Sequence, residues 1–179
     1  MSVIVRNKGG TFVPAPEGLH HSVCVDAVDL GMVDGTFGRK HMIKLVWQTK
    51  QQMHDGKPYL IQKRYNASLN PKANLRIDLE SWRGRKFSEE EAKEMDLEKL
   101  IGVNCQITVA HAVKDGNTYG NVLSIVAAPS VLGKLYPQDY TRVCKRPGYE
   151  APIVEDEQAP EPGEQDGPPA DVTEDDIPF

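Results

Sequence analysis

His41-Met42-Ile43-Lys44-Leu45-Val46-Trp47-Gln48-Thr49 alternates strictly, with Ile43, Leu45 and Trp47 on one face and Met42, Lys44, Val46 and Gln48 on the other. A period of two is the pattern of a half-buried strand. Downstream, His54-Asp55-Gly56-Lys57-Pro58 turns the chain, and Tyr59 to Ala67 alternates again, with Tyr59, Ile61, Lys63 and Tyr65 sharing a face. Upstream, Gly31 to Gly38 contains Asp34-Gly35 and predicts a hairpin loop. Before it, His20 to Leu30 predicts a first strand whose apolar register slips, from Val23, Val25 and Ala27 to Val28 and Leu30. Such a slip predicts a bulge or sharp bend.

After the third strand the period changes. Asn70 followed by Pro71 predicts a helix start, Leu75, Leu79 and Trp82 fall at helical spacing, and Gly84 ends the element. Ser88 and Glu91 form a capping box that predicts a second short helix, and Asp96 to Ile101 adds a turn stopped by Gly102. Two more strands, Val103 to Val113 and Tyr119 to Ala127, are joined by Lys114-Asp115-Gly116-Asn117. Residues 128–149 carry only weak signals. Three strands, a helical connection and two strands suit a mainly β fold, a five-stranded OB-type Greek-key barrel with the helix between strands three and four. A split β-α-β fold needs a further helix between the early strands, where Asp34-Gly35 and Asp55-Gly56 leave room only for turns.

The chain divides into an arm (1–19), a body (20–149) and a tail (150–179). The tail holds eleven acids and no Lys or Arg, with frequent Pro and Gly and a single aromatic, Phe179. It is expected to be disordered, because it cannot bury enough apolar surface to offset its ordering entropy. The whole chain has 21 bases and 26 acids, a net charge of −5. Taking away the tail's eleven acids leaves 15 acids against 21 bases over residues 1–149, a net charge of +6. The body is therefore basic, and the tail ends in Asp175-Asp176-Ile177-Pro178-Phe179, two charges before a compact apolar hook.

No apolar run reaches the ~20 residues that span a bilayer, and residues 1–18 lack the apolar centre of a secretory signal, so a cytoplasmic protein is expected. Cys24, Cys105 and Cys144 are odd in number and widely spaced, which argues against a disulfide framework or a zinc site. His20, His21, His41, His54 and His111 lack zinc-ligand spacing. Asp26, Asp29 and Asp34 are scattered over faces and loops. No phosphate-binding loop or nucleophile motif is present. Neither a catalytic residue, a metal nor a cofactor is expected.

Binding of single strands without sequence preference requires cations along a backbone path and flat faces for bases. Arg39, Lys40, Lys44, Lys50, Lys57, Lys63 and Arg64 stand against one acid, Asp55, with Trp47, Tyr59 and Tyr65 interleaved. Strands two and three of an OB barrel commonly carry nucleic acid. Trp47 shares a face with Ile43 and Leu45 and is assigned to the core, as is Trp82 on the Leu75/Leu79 stripe. Tyr65 is open to base stacking or to a structural hydrogen bond, and Tyr59 lies beside a loop where an exposed ring is easier to justify. Arg83, Arg85 and Lys86 extend the cationic track or form a solvated helix end, Phe37 tips the first hairpin, and Tyr119 opens the last strand.

Two stretches resemble known families. Asn74 to Phe87, with Trp82-Arg83-Gly84-Arg85 its most specific part, then Asp96 to Gly102 and Tyr119 to Ile125, resemble a family of bacteriophage OB-fold single-stranded DNA-binding proteins, over roughly residues 20–129. Asp175 to Phe179 resembles the C-terminal tip of bacterial single-stranded DNA-binding proteins, which docks replication and repair partners. The resemblance implies single-strand binding without catalysis in the bacterial host cell, and recruitment of replication or recombination proteins through the last five residues. The long helical connection departs from the bacterial proteins and so does not imply their tetramer. A protein-interaction or DNA-mimic module acting through the acidic tail is the rival from another class, a metal-dependent nuclease accessory the third, and a strand-annealing role is compatible with the first.

Overall fold

A computed structural model describes residues 13–152. The chain is mainly β: a five-stranded antiparallel sheet with one α-helix. Strands β1 (Gly18–Gly35), β2 (Gly38–Gln52), β3 (Pro58–Asn66), β4 (Asn104–Lys114) and β5 (Asn117–Ala127) are arranged in the order β3-β2-β1-β4-β5. Helix α1 (Asn74–Arg83) packs on β5 and β3, and the two edge strands also approach one another. No helix among the described residues is long and apolar enough to cross a membrane.

The alternation of β2 sets the layering. Ile43, Leu45 and Trp47 point into the main core with Cys24, Ile61, Tyr65, Cys105, Ile107, Val109 and Ile125. Helix α1 closes that core with Leu75, Leu79 and Trp82, and the Trp47 and Trp82 rings lie 6.1 Å apart at 58°. Trp82 Nε1 donates to the Asn104 carbonyl at 3.0 Å, so the indole bridges helix and sheet. Burial pushes the Cys24 thiol up to about 12, so this sulfur behaves as a small hydrophobe.

Strand β1 departs from the expected facing. The register with β2 slips twice, between Cys24 and Asp26 and between Asp29 and Gly31. Val23 and Val25 therefore face a second cluster with Val46 on the other side of the sheet, while Ala27 packs with the main core. The sequence pattern put one slip between Ala27 and Val28, which are paired in register; the two observed slips lie on either side of them. Both strands of the hairpin are also longer than the alternation indicated, and the loop shrinks to Thr36 and Phe37.

The helical connection differs in two places. Asn70 and Pro71 do not cap the helix: Ala73 N donates to the Asn70 carbonyl at 2.8 Å, a turn with proline in its second position, and α1 begins at Asn74. The capping box at Ser88 and Glu91 forms, with Glu91 N donating to Ser88 Oγ and Ser88 N to Glu91 Oε2, yet only turns follow. Glu91 is drawn back to Arg83 and Arg85, at 2.9 and 3.1 Å, which fixes this loop against α1. Further on, a 3₁₀ turn at Leu97–Leu100 matches expectation, capped by Asp96.

The unassigned stretch after β5 proves to be structured. Residues 134–146 form a strap over the outer face of β1 and β2, where Leu135 and Tyr140 pack on Val23, Val25 and Val46. Having no strand partner, the strap satisfies its backbone through side-chain amides. Asn104 accepts from Leu135 N at 2.7 Å and donates to Leu135 O at 2.8 Å; Gln48 does the same for Gln138, at 2.8 and 2.6 Å. Asp26, only 1% exposed, then accepts from Val143 N (2.7 Å), Tyr140 Oη (3.1 Å) and Arg142 Nε (3.1 Å). Arg142 also grips both oxygens of Glu98. A buried carboxylate so surrounded is expensive to unpair, about 3–5 kcal/mol when one partner is removed.

Candidate nucleic-acid interface

Because Ile43, Leu45 and Trp47 face the core, Lys44 faces outward on β2; Arg64 does so on β3, and the ladder sets the two directly opposite each other. Like charges on facing residues of an antiparallel pair repel. Neither forms an ion pair among the described residues. Burial lowers the Lys44 ammonium below its ordinary pKa, and the neighbouring Arg64 and Arg146 guanidiniums lower it further; only Asp26 acts the other way.

Arg64 stands between two cavities. One, of about 590 Å³, runs from Met42 and Asn66 past Asn70 to Lys72 and Asn74. The other, of about 390 Å³, lies between the edges of β3 and β5, with Gln62 on one side and Tyr119 and Asn121 on the other. Pro14 and Ala15 complete its wall, held there because His111 bonds the Ala15 carbonyl at 2.7 Å. Among the described residues, no carboxylate lines either cavity. A third, more apolar hollow of about 490 Å³ between α1 and the start of β4 carries Glu91, Glu94 and Asp96 on its wall and suits a polyanion poorly.

The residues singled out from sequence separate into an outward set and an inward or neutralised set. Lys44 and Arg64 are brought together, and Tyr119, 50% exposed, lies on the second cavity. At the hairpin tip Phe37 is 88% exposed with Lys40 Nζ 6.0 Å from its ring, and Arg39 is 3.4 Å from Asp34. Lys57 sits loosely by Asp55, 4.0 Å away in its turn.

Tyr65 requires a correction as a stacking residue. Its ring is 2% exposed and its hydroxyl donates to Asp78 on α1 at 2.8 Å, so no face is open to a base. Burial, with Asp78 close by, raises this phenol far above its usual range. Lys63 shares the inward face and binds the same Asp78 oxygen at 2.6 Å, and Tyr59 is half-buried against the core. Together Lys63 and Tyr65 clamp β3 to α1. Arg83 and Arg85 both meet Glu91, which hydrogen bonds from Arg83 and then from the Ser88 backbone hold down at about 2, well below the usual carboxylate range.

Sequence reasoning missed Lys72 and Arg146. Arg146 extends from the strap over the Tyr140 ring, 5.6 Å from its centroid. The available signal was compositional: residues 134–149 interleave Tyr136, Tyr140 and Tyr149 with Lys134, Arg142, Lys145 and Arg146 against a single acid, Asp139. The partner-binding tip, Asp175, Asp176, Ile177, Pro178 and Phe179, lies outside the described residues, as do residues 1–12 of the arm. Among the described residues, no group of three or more His, Cys, Asp or Glu is placed to hold a metal ion. Comparison with protein-family models and with curated proteins finds no match for this chain.

Proposed function

We propose that this protein binds single-stranded DNA without sequence preference, protecting it in phage replication or recombination, and that its sheet is an OB-type barrel. The strand order, the approach of β3 to β5 and the helix inserted between β3 and β4 support the barrel. The observation that carries the binding role is the Lys44–Arg64 pair, without an ion-pair partner among the described residues, whose Arg64 stands between two cavities that no described carboxylate lines. Phosphates along that path relieve the repulsion, while Tyr119 supplies a flat face beside it.

The acidic tail is assigned two roles in this proposal. A flexible chain of thirty residues spans roughly 30 Å root-mean-square, so a tail of that length suffices to compete with DNA for the basic face. When DNA displaces it, Asp175 to Phe179 become available to replication or recombination proteins. Gel-shift competition among single-stranded DNA, RNA and duplex, with the full chain and with a chain ending at Tyr149, tests the proposal. Preferential capture of single strands by both is expected; indifference of the truncated body to oligonucleotides would leave the tail-borne interaction role instead.

A further inference from the structure

We infer that Arg146 is a phosphate ligand for the bound strand, so that the site is completed by the strap and not by the sheet alone. The inference rests on the reading of Lys44 and Arg64 given above. Three features converge on it. The strap is a fixed part of the body, because Asn104, Gln48 and Asp26 hold Leu135, Gln138 and Val143 by backbone hydrogen bonds. Arg146 is oriented by its place over the Tyr140 ring and by donating from Nε to the Thr141 carbonyl at 3.0 Å. It has no carboxylate partner among the described residues, and the Tyr140 ring that it covers packs on the cluster of Val23, Val25 and Val46, the last of which is two residues from Lys44 on the same face of β2.

The charges around this point come from three elements. Lys44 comes from β2, Arg64 from β3 and Arg146 from the strap, with Asp26 of β1 the opposing charge among the described residues. Asp26 is already engaged by Arg142, Tyr140 and Val143, which leaves it unable to bridge the three cations. Three cations on neighbouring elements with no bridging carboxylate among the described residues favour an oxyanion, and a phosphodiester is the oxyanion that a strand crossing Arg64 brings there. Covering the outer face of β1 and β2, the strap also turns the strand's path toward β3 and the two cavities beside Arg64.

The test compares the full-length protein with Arg146→Ala, Arg146→Lys and Arg64→Ala, by fluorescence anisotropy with a labelled oligothymidylate over a salt series. Arg146→Ala is expected to bind several-fold more weakly, with the log–log salt slope reduced in magnitude by about 0.7, the share of one phosphate on a single strand. Arg146→Lys is expected to keep the slope, and both variants to melt like the parent. Cys144, the exposed thiol beside the strap's last turn, gives a second readout: oligonucleotide is expected to slow its alkylation. If Arg64→Ala weakens binding while Arg146→Ala leaves affinity and slope unchanged, Arg146 is no ligand and the site on β2 and β3 stands without it. If neither variant weakens binding, the reading of the site falls, and this inference with it.

Discussion

Lys44 and Arg64 face one another across β2 and β3, two cations on directly opposed positions of an antiparallel ladder, neither in an ion pair among the described residues. A stable fold has no use for that arrangement, since an opposed like-charge pair costs where an opposite-charge pair contributes roughly 0.2–1 kcal/mol. Its cost and its use can be separated. Arg64→Glu is expected to raise the melting temperature slightly at low salt, through attraction to Lys44, while removing most oligonucleotide binding. Calorimetry and anisotropy on one preparation decide it; lower stability with binding intact would mark the pair as structural.

Of the three tyrosines considered for the nucleic-acid site, Tyr65 and Tyr119 should behave oppositely. Tyr65→Phe removes the hydroxyl that donates to Asp78 and is expected to cost about 0.5–1.5 kcal/mol of stability while leaving DNA affinity alone. Tyr119→Ala touches an exposed ring and is expected to weaken binding by about 1–3 kcal/mol, the range for loss of one stacked base. Denaturant melts and titrations of both variants check this; reversed effects would place the strand on the other side of β3.

Lys44 also predicts a pH dependence. Burial, then Arg64 and Arg146, lower its pKa below the ordinary value for a lysine. Between the lowered folded pKa and the ordinary unfolded one, the unfolded chain binds more protons, and stability therefore rises with pH across that window. Binding follows the opposite sign, because a phosphate favours charged Lys44. Affinity is expected to fall at alkaline pH in the native chain and to hold level in Lys44→Arg, whose charge persists. Parallel decline in both, followed by anisotropy at constant ionic strength, would assign the loss elsewhere.

Truncation after Tyr149 removes eleven acids, counting Glu150, and no base. The shortened chain is expected to bind oligonucleotide more tightly at low salt, the gain vanishing as salt screens the tail. Phe179→Ala in the full chain is expected to keep DNA affinity but lose capture of a replication or recombination partner. Titration and pull-down with a purified partner read the two effects; an unchanged affinity after truncation would remove the competition, and equal capture by Phe179→Ala would remove the tip's role.

What the sequence disclosed follows from the range of the forces concerned. Period-two alternation is local, so the facing of Ile43, Leu45 and Trp47, and the core positions of Trp47 and Trp82, could be read directly. The same facing already put Tyr65 and Lys63 beside Ile61, but the reason they stay inward is Asp78 on α1, thirteen and fifteen residues away, which no periodicity announces. The strap was illegible for a stronger reason. Its partners Gln48 and Asp26 lie ninety residues or more before it, and its backbone is satisfied by amide and carboxylate side chains, not by a ladder. Charge density marked a basic stretch of sequence, yet could not tell that Arg83 and Arg85 meet Glu91 while Lys44 and Arg64 face each other.

The most direct test of the central claim is a salt titration of the full chain on a single-stranded oligonucleotide and on its duplex, beside the double variant Lys44→Ala/Arg64→Ala. Tighter binding to the single strand is expected, with a log–log slope near −0.7 for each phosphate held and about two phosphates' worth missing in the double variant. Equal affinity for single strand and duplex, or a double variant with the parent's affinity and slope, would contradict the account.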